Sequence, residues 1–188
     1  MTHEPSGPII RAFTPSDQAA ARRLILEGLG EHFGAVDETR NPDIDDIAAN
    51  YVGHGHLFLV AEDAPGLVGT AALVFQAGAT AQIVRVSVAP AWRRRGLAKA
   101  LVMRLIEAGV ARGLVRLWME TNDDWQPAIE LYRAVVEEHE SRNVCVAYDP
   151  GGARQAVELI PPCRRQILFA AVAQEAYLRS IEASSRVE

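Results

Sequence analysis

Three consecutive arginines followed by a glycine are the residues whose chemistry is easiest to interpret in this sequence. Arg93, Arg94 and Arg95 precede Gly96, after which apolar residues recur at helical spacing. The first N–H groups of a helix favour a phosphate, and arginine can donate two parallel hydrogen bonds to phosphate oxygens. Glycine lets the backbone approach such a ligand closely. The stretch therefore predicts a site for a phosphate or a pyrophosphate.

The arginine triplet also fits other interpretations. Three arginines at a turn are typical of a solvated surface as well. A Walker loop would require Gly-Lys-Ser or Gly-Lys-Thr, and a dinucleotide fingerprint would require three glycines, and neither pattern surrounds Gly96. A phosphate site at Gly96 would therefore be neither a Walker loop nor a dinucleotide-binding loop.

The elements on either side must hold the arginines in place. Residues 81–88 are rich in β-branched side chains and predict a strand, which Pro90 ends because it has no N–H. A helix is predicted from Leu97 to about Arg112, and it returns the chain to a parallel strand over residues 114–121. The sequence thus places the arginines between a strand and a helix.

This arrangement resembles the acyl-CoA pyrophosphate loop of the GNAT superfamily of N-acyltransferases. Arg93-x-x-Gly96-x-Ala98 fits the family pattern of Gln or Arg, two spacers, Gly, one spacer, and Gly or Ala. The motif Ala128-Ile129-Glu130-Leu131-Tyr132 follows in the family's order and at its distance, and the resemblance covers about residues 9 to 149. It implies an α/β (α+β) fold with a GNAT-like mixed sheet, whose central parallel strands splay apart between flanking helices.

The resemblance implies that acetyl-CoA, or a close acyl-CoA, is the acyl donor. Its pantetheine arm would pair with the strand backbone that the splay exposes, much as an added strand would. Trp125 departs from the family, which commonly has an asparagine there that contacts the cofactor. The cofactor-binding residues implied are Val86, Ser87, Val88, Arg93, Arg94, Arg95, Gly96, Leu97, Ala98, Lys99 and Trp125.

Catalytic roles follow from the same resemblance. Tyr132 occupies the position of the family's general acid, which protonates the departing thiolate, although a core tyrosine is the structural alternative. Gln82 occupies the strand position where some members carry a glutamate base, and an amide cannot accept the proton. The base is then unassigned: Glu120 on the neighbouring strand and His32 are the candidates to act through water, and binding of the neutral amine without a base is the alternative. The Gly-Phe pair that usually follows the tyrosine helix is absent.

The wall of the site that binds the acyl acceptor is predicted in the glycine- and acid-rich stretch over residues 28–46. It contains His32, Phe33 and Asp37, which we expect to bind substrate, and its acidic character favours a cationic amine. A solvated connector is the alternative. The expected activity is N-acetyl transfer to a primary amine of a small molecule. A protein or peptide N-acetyltransferase and a noncatalytic acyl-CoA sensor remain open as alternatives.

The remaining elements complete one predicted domain over residues 1–150. Expected strands and helices are a strand over 9–13, a helix from Thr14 to about Glu27, a helix over 44–51, a hairpin of strands 57–62 and 67–75, a helix over 126–135, and strands 137–141 and 143–148. Residues 151–188 are expected to be an extension with an amphipathic helix over 164–181. Such a helix usually packs on its own domain, and a homodimer contact is the alternative.

Composition limits the remaining functions. With 188 residues and 49% hydrophobic composition, one sizeable core can form. The net charge of -5 argues against nucleic-acid binding, and no apolar run is long enough to span a membrane. The two cysteines form no disulfide framework, which fits the cytoplasm. His54 and His56 lack a third ligand at usable spacing, so we expect no metal site.

Overall fold

A computed structural model of the chain describes residues 7–34, 36, 38–64, 66–114, 116–122, 124–140, 145–148 and 154–160. Side chains are described for these residues except at positions 120, 122, 136–140, 145–148 and 154–160. Within this part of the chain, no helix has the length and apolar character that crossing a bilayer requires.

The described residues form a seven-stranded sheet with helices on both faces. Its strands are β1 (Ile9–Ala12), β2 (Leu57–Asp63), β3 (Gly66–Gln76), β4 (Thr80–Val88), β5 (Arg116–Asn122), β6 (Cys145–Tyr148) and β7 (Arg154–Ile160). The helices are α1 (Gln18–Phe33), the single turn α2 (Ile47–Asn50), α3 (Leu97–Ala111) and α4 (Gln126–Glu140). The spatial order of the strands is β1-β2-β3-β4-β5-β7-β6, and all pairs are antiparallel except β4 with β5.

The parallel pair in the middle of the sheet is short. Its register runs only from Thr80 opposite Arg116 to Ile83 opposite Met119. Beyond this point β4 continues beside β3, whereas β5 continues beside β7. The two strands therefore separate, which confirms the predicted mixed sheet with splayed central strands.

Two apolar layers hold the helices against the sheet. On one face, α3 and α4 bury residues such as Leu101, Leu105 and Val135 against β3, β4 and β5. On the other face, α1 and α2 bury Ile25 and Ile47 against β2 and β3. The alternation of side chains along the strands supplies both layers, as expected for a sheet that is covered on both faces.

Two of the predicted helix ends were wrong. Helix α1 extends past Glu27 and ends at Phe33, where Gly34 has φ +79° and donates its N–H to Gly30 O at 2.8 Å. Glycines inside a helix cost only about 1 kcal/mol each, and packing of Ile25 offsets that cost. The expected helix over 44–51 shortens to α2 after a 3₁₀ turn at residues 42–44. His32 and Phe33 therefore lie on a helix instead of in a loop.

The C-terminal part of the sheet also differs from the expectation. Helix α4 continues to Glu140, so the expected strand over 137–141 is helical there. Residues 154–160, which we placed in the extension, form β7 and pair with β5 and β6. The boundary expected at residue 150 therefore falls inside the sheet. The amphipathic helix expected over 164–181 lies outside the described residues.

Gly69 tests the packing of α3 on the sheet. A Cβ atom added there would lie 2.9 Å from Leu101 Cδ1 and 3.2 Å from Ala61 Cβ, whereas one added at Gly66 on the same strand would meet nothing within 4 Å. We expect Gly69→Ala to lower the free energy of unfolding by about 1–3 kcal/mol because it overpacks the core. Gly66→Ala is the control and should change it by less than about 1 kcal/mol. Urea denaturation measures both, and equal values would contradict the packing described for α3.

Candidate functional site

A cleft of about 1190 Å³ occupies the gap between the separated strands. Its walls come from β4, from the start of α3, from the end of α1, and from the loop and first turns of α4. Most of the predicted site residues line it: Gln82, Val86, Ser87, Val88, Arg93, Arg94, Gly96, Leu97, Ala98, Lys99, Trp125, Tyr132, His32 and Phe33. Residues far apart in sequence therefore face one space.

The start of α3 forms one end of the cleft. Gly96 precedes the helix with φ +81°, a backbone conformation that favours glycine, and a Cβ added there would meet nothing within 4 Å. The first amide with an acceptor in the helix is that of Ala100, which donates to Gly96 O at 2.9 Å. Open space thus lies beside the N–H groups that a helix start leaves without intrahelical acceptors. The start of α3 is therefore the position at which the predicted phosphate would lie.

The three arginines differ in their surroundings. Arg93 Nε donates to Val88 O at 3.0 Å, and Arg93 Nη2 lies 2.5 Å from Glu31 Oε2 on α1. Arg94 also lines the cleft. Arg95 is outside the cleft lining, and its guanidinium carbon lies over the ring of Trp92, 5.1 Å from the centroid. Arg93 and Arg94 are therefore the arginines of the triplet that face the cleft, and phosphate binding by the three stays a prediction.

A bulge in β4 lies beside the point of separation. Thr70 pairs with Ser87 and Ala72 pairs with Val84, so two residues of β4 oppose one residue of β3. Arg85 in the bulge has φ +56°, and Thr70 Oγ1 donates to Arg85 O at 2.9 Å. The extra residue shifts the alternation of the strand. As a result, Arg85 projects toward the α1 and α2 side, where it meets Asp43.

Arg85, Asp43 and Tyr51 form a hydrogen-bonded group in the cleft wall. Arg85 Nε donates to Asp43 Oδ2 at 2.8 Å, a second bond joins Arg85 Nη2 to Asp43, and Arg85 Nη1 donates to Asn41 Oδ1 at 2.9 Å. The Tyr51 hydroxyl donates to Asp43 Oδ2 at 2.5 Å. Asp43 thus holds the Arg85 guanidinium through Nε and Nη2, and Asn41 holds it through Nη1.

Burial and the hydrogen bonds among Arg85, Asp43 and Tyr51 shift the pKa values of all three side chains. Burial and the bond to Asp43 both raise the pKa of the Tyr51 hydroxyl. Burial alone would raise the pKa of Asp43, but bonds from Arg85 and Tyr51 outweigh it and lower the pKa. Burial opposes the charge of Arg85, yet Asp43 raises the pKa of the guanidinium. Arg85 and Asp43 therefore stay charged and neutralise each other.

Tyr132 and Thr121 line the cleft from α4 and β5. Tyr132 is 8% exposed, and Thr121 lies two residues beyond the last β4–β5 pair. Among the side chains that the structure describes, Thr121 Oγ1 is the one buried polar atom without a hydrogen-bond partner. Glu120 lies beside Thr121 in β5, but its side chain is outside the described part of the chain. Asp37 is also outside it.

Three rings meet where α1 ends, and we call His32, Phe33 and Trp125 the ring cluster. His32 stacks on Trp125 with centroids 4.2 Å apart and an interplanar angle of 7°. Phe33 meets both rings edge-on, at 4.5 Å from His32 and 5.9 Å from Trp125. The ring cluster joins α1 to the loop before α4, and all three residues line the cleft.

Several carboxylates expected to make this wall acidic have a basic side chain beside them. Glu31 faces Arg93 at 2.5 Å, Asp45 faces Arg22 at 2.9 Å, and Asp43 pairs with Arg85. Asp124 Oδ1 lies 3.5 Å from His32 Nε2. The arginines therefore offset the charge of Glu31 and Asp43, whereas Arg22 is shared by Asp45 and Glu38, and Asp124 has a histidine beside it.

Sequence reasoning missed Arg85, Tyr51 and Thr121. A signal existed for Arg85, which interrupts the apolar run over residues 81–88. A charged residue inside such a strand indicates a special position, but nothing in the sequence pairs it with Asp43. Thr121 carries no such signal, because threonine is common in strands.

Comparisons with known proteins agree with this geometry. Residues 20–135, more than half of the chain, match the family model described as the Acetyltransferase (GNAT) family. The chain is 28% identical over 141 residues to YjgM of Escherichia coli (strain K12), an uncharacterized N-acetyltransferase, with 72% of this chain and 84% of that protein covered.

Solved structures support the fold. A GNAT family acetyltransferase of Staphylococcus aureus Mu50 matches with a TM-score of 0.67 at 18% identity, over 80% of this chain and 97% of that chain. YncA of Salmonella typhimurium, solved with acetyl-CoA, matches with a TM-score of 0.60 at 22% identity, over 88% of this chain and 99% of that chain.

Thr121 gives a stability test of the cleft wall. Replacing it with valine removes a hydroxyl that has no partner, so Thr121→Val should leave the free energy of unfolding unchanged or raise it by about 1 kcal/mol. Thr70→Val is the matched variant, because Thr70 is also buried but donates to Arg85 O. It should lower the free energy of unfolding by about 1–2 kcal/mol. Denaturant titration distinguishes them, and equal losses would show that Thr121 Oγ1 has a partner.

Proposed function

Because the chain belongs to the acetyltransferase (GNAT) family, we propose that it is an N-acetyltransferase that takes the acetyl group from acetyl-CoA and transfers it to a primary amine of a small molecule. The observation that carries the proposal is the cleft itself. A helix start suited to phosphate opens into the gap between β4 and β5, and Tyr132 lines the same space.

The donor's pyrophosphate would bind at the start of α3. Gly96 leaves open space there, and Arg93, Arg94 and Lys99 line the adjacent wall. The edge of β4 beyond Ile83 has no β5 partner, so backbone groups near Val86 would pair with the pantetheine arm, while Val88 O already accepts a bond from Arg93 Nε. When bound, acetyl-CoA supplies an acetyl group activated as a thioester.

Acetyl transfer forms a C–N bond to the amine and breaks the C–S bond of the thioester. The amine loses a proton, and the departing thiolate gains one. Tyr132 would give its hydroxyl proton to the thiolate. A backbone N–H near Val86 to Val88 would stabilise negative charge on the carbonyl oxygen. Gln82 cannot take the amine proton, but its amide can orient the amine by hydrogen bonding. Glu120, the carboxylate in β5, is the proposed base.

Calorimetry and a turnover assay test this function. Acetyl-CoA and CoA should bind while ATP does not, and a panel of primary amines should release free thiol from acetyl-CoA. Binding without thiol release would favour a sensor. Failure of both CoA species to bind would overturn the proposed function.

The phosphate position is tested by Gly96→Glu. The new carboxylate would stand where the start of α3 meets the pyrophosphate, so acetyl-CoA affinity should fall at least about tenfold, or about 1.4 kcal/mol. Gly78→Glu is the control, since Gly78 also has positive φ with open space around it, at +72°, but does not line the cleft. If calorimetry finds the same affinity for both folded variants, the phosphate position is wrong.

The proton donor is tested by Tyr132→Phe. The ring is kept, so packing and acetyl-CoA affinity should stay nearly constant while kcat falls about 10²-fold, a typical share for a positioned proton transfer. Steady-state kinetics and calorimetry measure the two effects separately. An undiminished kcat would show that Tyr132 is not the general acid that protonates the thiolate. A loss of affinity at normal kcat would make Tyr132 a binding residue.

A further inference from the structure

The ring cluster points to the kind of amine that the cleft accepts. His32 is packed between its neighbours with a 17% exposed side chain, whereas Phe33 is 54% exposed. The other large exposed hydrophobic residues among those the structure describes, Ile9, Val52 and Val110, do not line the cleft. Phe33 is thus an apolar ring held in solvent inside a ligand cleft.

The position of Phe33 is fixed by the fold. Helix α1 ends directly after it at Gly34, whose amide bonds to Gly30 O. Contacts with His32 and Trp125 hold the ring from the other side. A rigid exposed ring gains more on ligand binding than a mobile one, because less side-chain entropy is lost. Aromatic ligands can meet such rings edge-on or in offset stacks.

The charges of the same wall favour a ligand with one cationic group at most. Among the four described carboxylates that line the cleft, Glu31, Asp43 and Asp124 each have a basic side chain beside them. The fourth, Glu130, is exposed on α4. Glu31 and Asp43 already face an arginine, so Glu130 and Asp124 are the described carboxylates left to meet the second ammonium group of a diamine. An amine with an uncharged aromatic body needs no such partner.

We propose that the acceptor is a primary amine with an aromatic body, whose ring packs on Phe33 and Trp125 while its amino group reaches the gap between β4 and β5. This inference rests on the proposed acetyl transfer and narrows its substrate class. Phe33 and Trp125 would be specificity-determining residues, since they contact the body of the acceptor and not the reacting atoms.

The test uses the full chain with 2-phenylethylamine, ethanolamine and putrescine as acceptors. The kcat/KM for 2-phenylethylamine should exceed that for each of the other two at least about tenfold, which is within the range that one hydrophobic contact provides. Phe33→Ala should reduce the ratio of kcat/KM for 2-phenylethylamine to that for ethanolamine at least about fivefold. Val110→Ala is the control, because Val110 is 52% exposed but outside the cleft, and it should leave the ratio unchanged.

Calorimetry of 2-phenylethylamine with the CoA-loaded protein separates this inference from the proposed function. Binding that is weakened by Phe33→Ala, with no thiol release from any amine, would support the ring site and overturn acetyl transfer. Thiol release with equal kcat/KM for all three amines would support acetyl transfer and overturn the ring site. Lower acetyl-CoA affinity of Phe33→Ala at an unchanged ratio would assign the rings to the donor's adenine, and it would also overturn the inference.

Discussion

The parallel pairing of β4 and β5 stops after four residue pairs, and the cleft depends on that stop. From Ile83 and Met119 onward each strand follows a different neighbour, β3 on one side and β7 on the other. A sheet that stayed paired would fill this space with its own hydrogen bonds. Separation leaves one edge of β4 without a strand partner, and backbone groups without partners favour a ligand that can supply them.

The bulge at Arg85 contributes a second constraint. A non-glycine residue at positive φ costs of order 1–3 kcal/mol and persists only where its surroundings hold it. Thr70 holds the carbonyl and Asp43 holds the guanidinium, so both the backbone and the side chain are fixed. A partly buried ion pair such as this one contributes little net stability. Its effect here is geometric, because it holds the Arg85 side chain on the α1 and α2 side of the sheet.

Local signals in the sequence were sufficient to predict the strand, the glycine and the helix start at one end of the cleft, and insufficient for the wall that α1 and the α4 loop form. Residues close in sequence determine the strand before Gly96 and the helix after it, so the sequence pattern predicts both elements. The end of α1 was misplaced because Gly28 and Gly30 are breakers by propensity alone, and only tertiary packing carries the helix on to Gly34. Arg85 with Asp43, and His32 with Trp125, meet through contacts between distant segments, which no spacing rule encodes.

The placement of β7 has a consequence for synthesis of the chain. Strand β5 forms a wall of the cleft, yet its outer neighbour is residues 154–160, which leave the ribosome after every other strand of the sheet. Until then the nascent β5 presents a row of unpaired N–H and C=O groups, a template for pairing with other chains. Non-local pairing of this kind also forms slowly. The interval before β7 emerges therefore leaves this edge of the nascent chain open to aggregation and to chaperone capture.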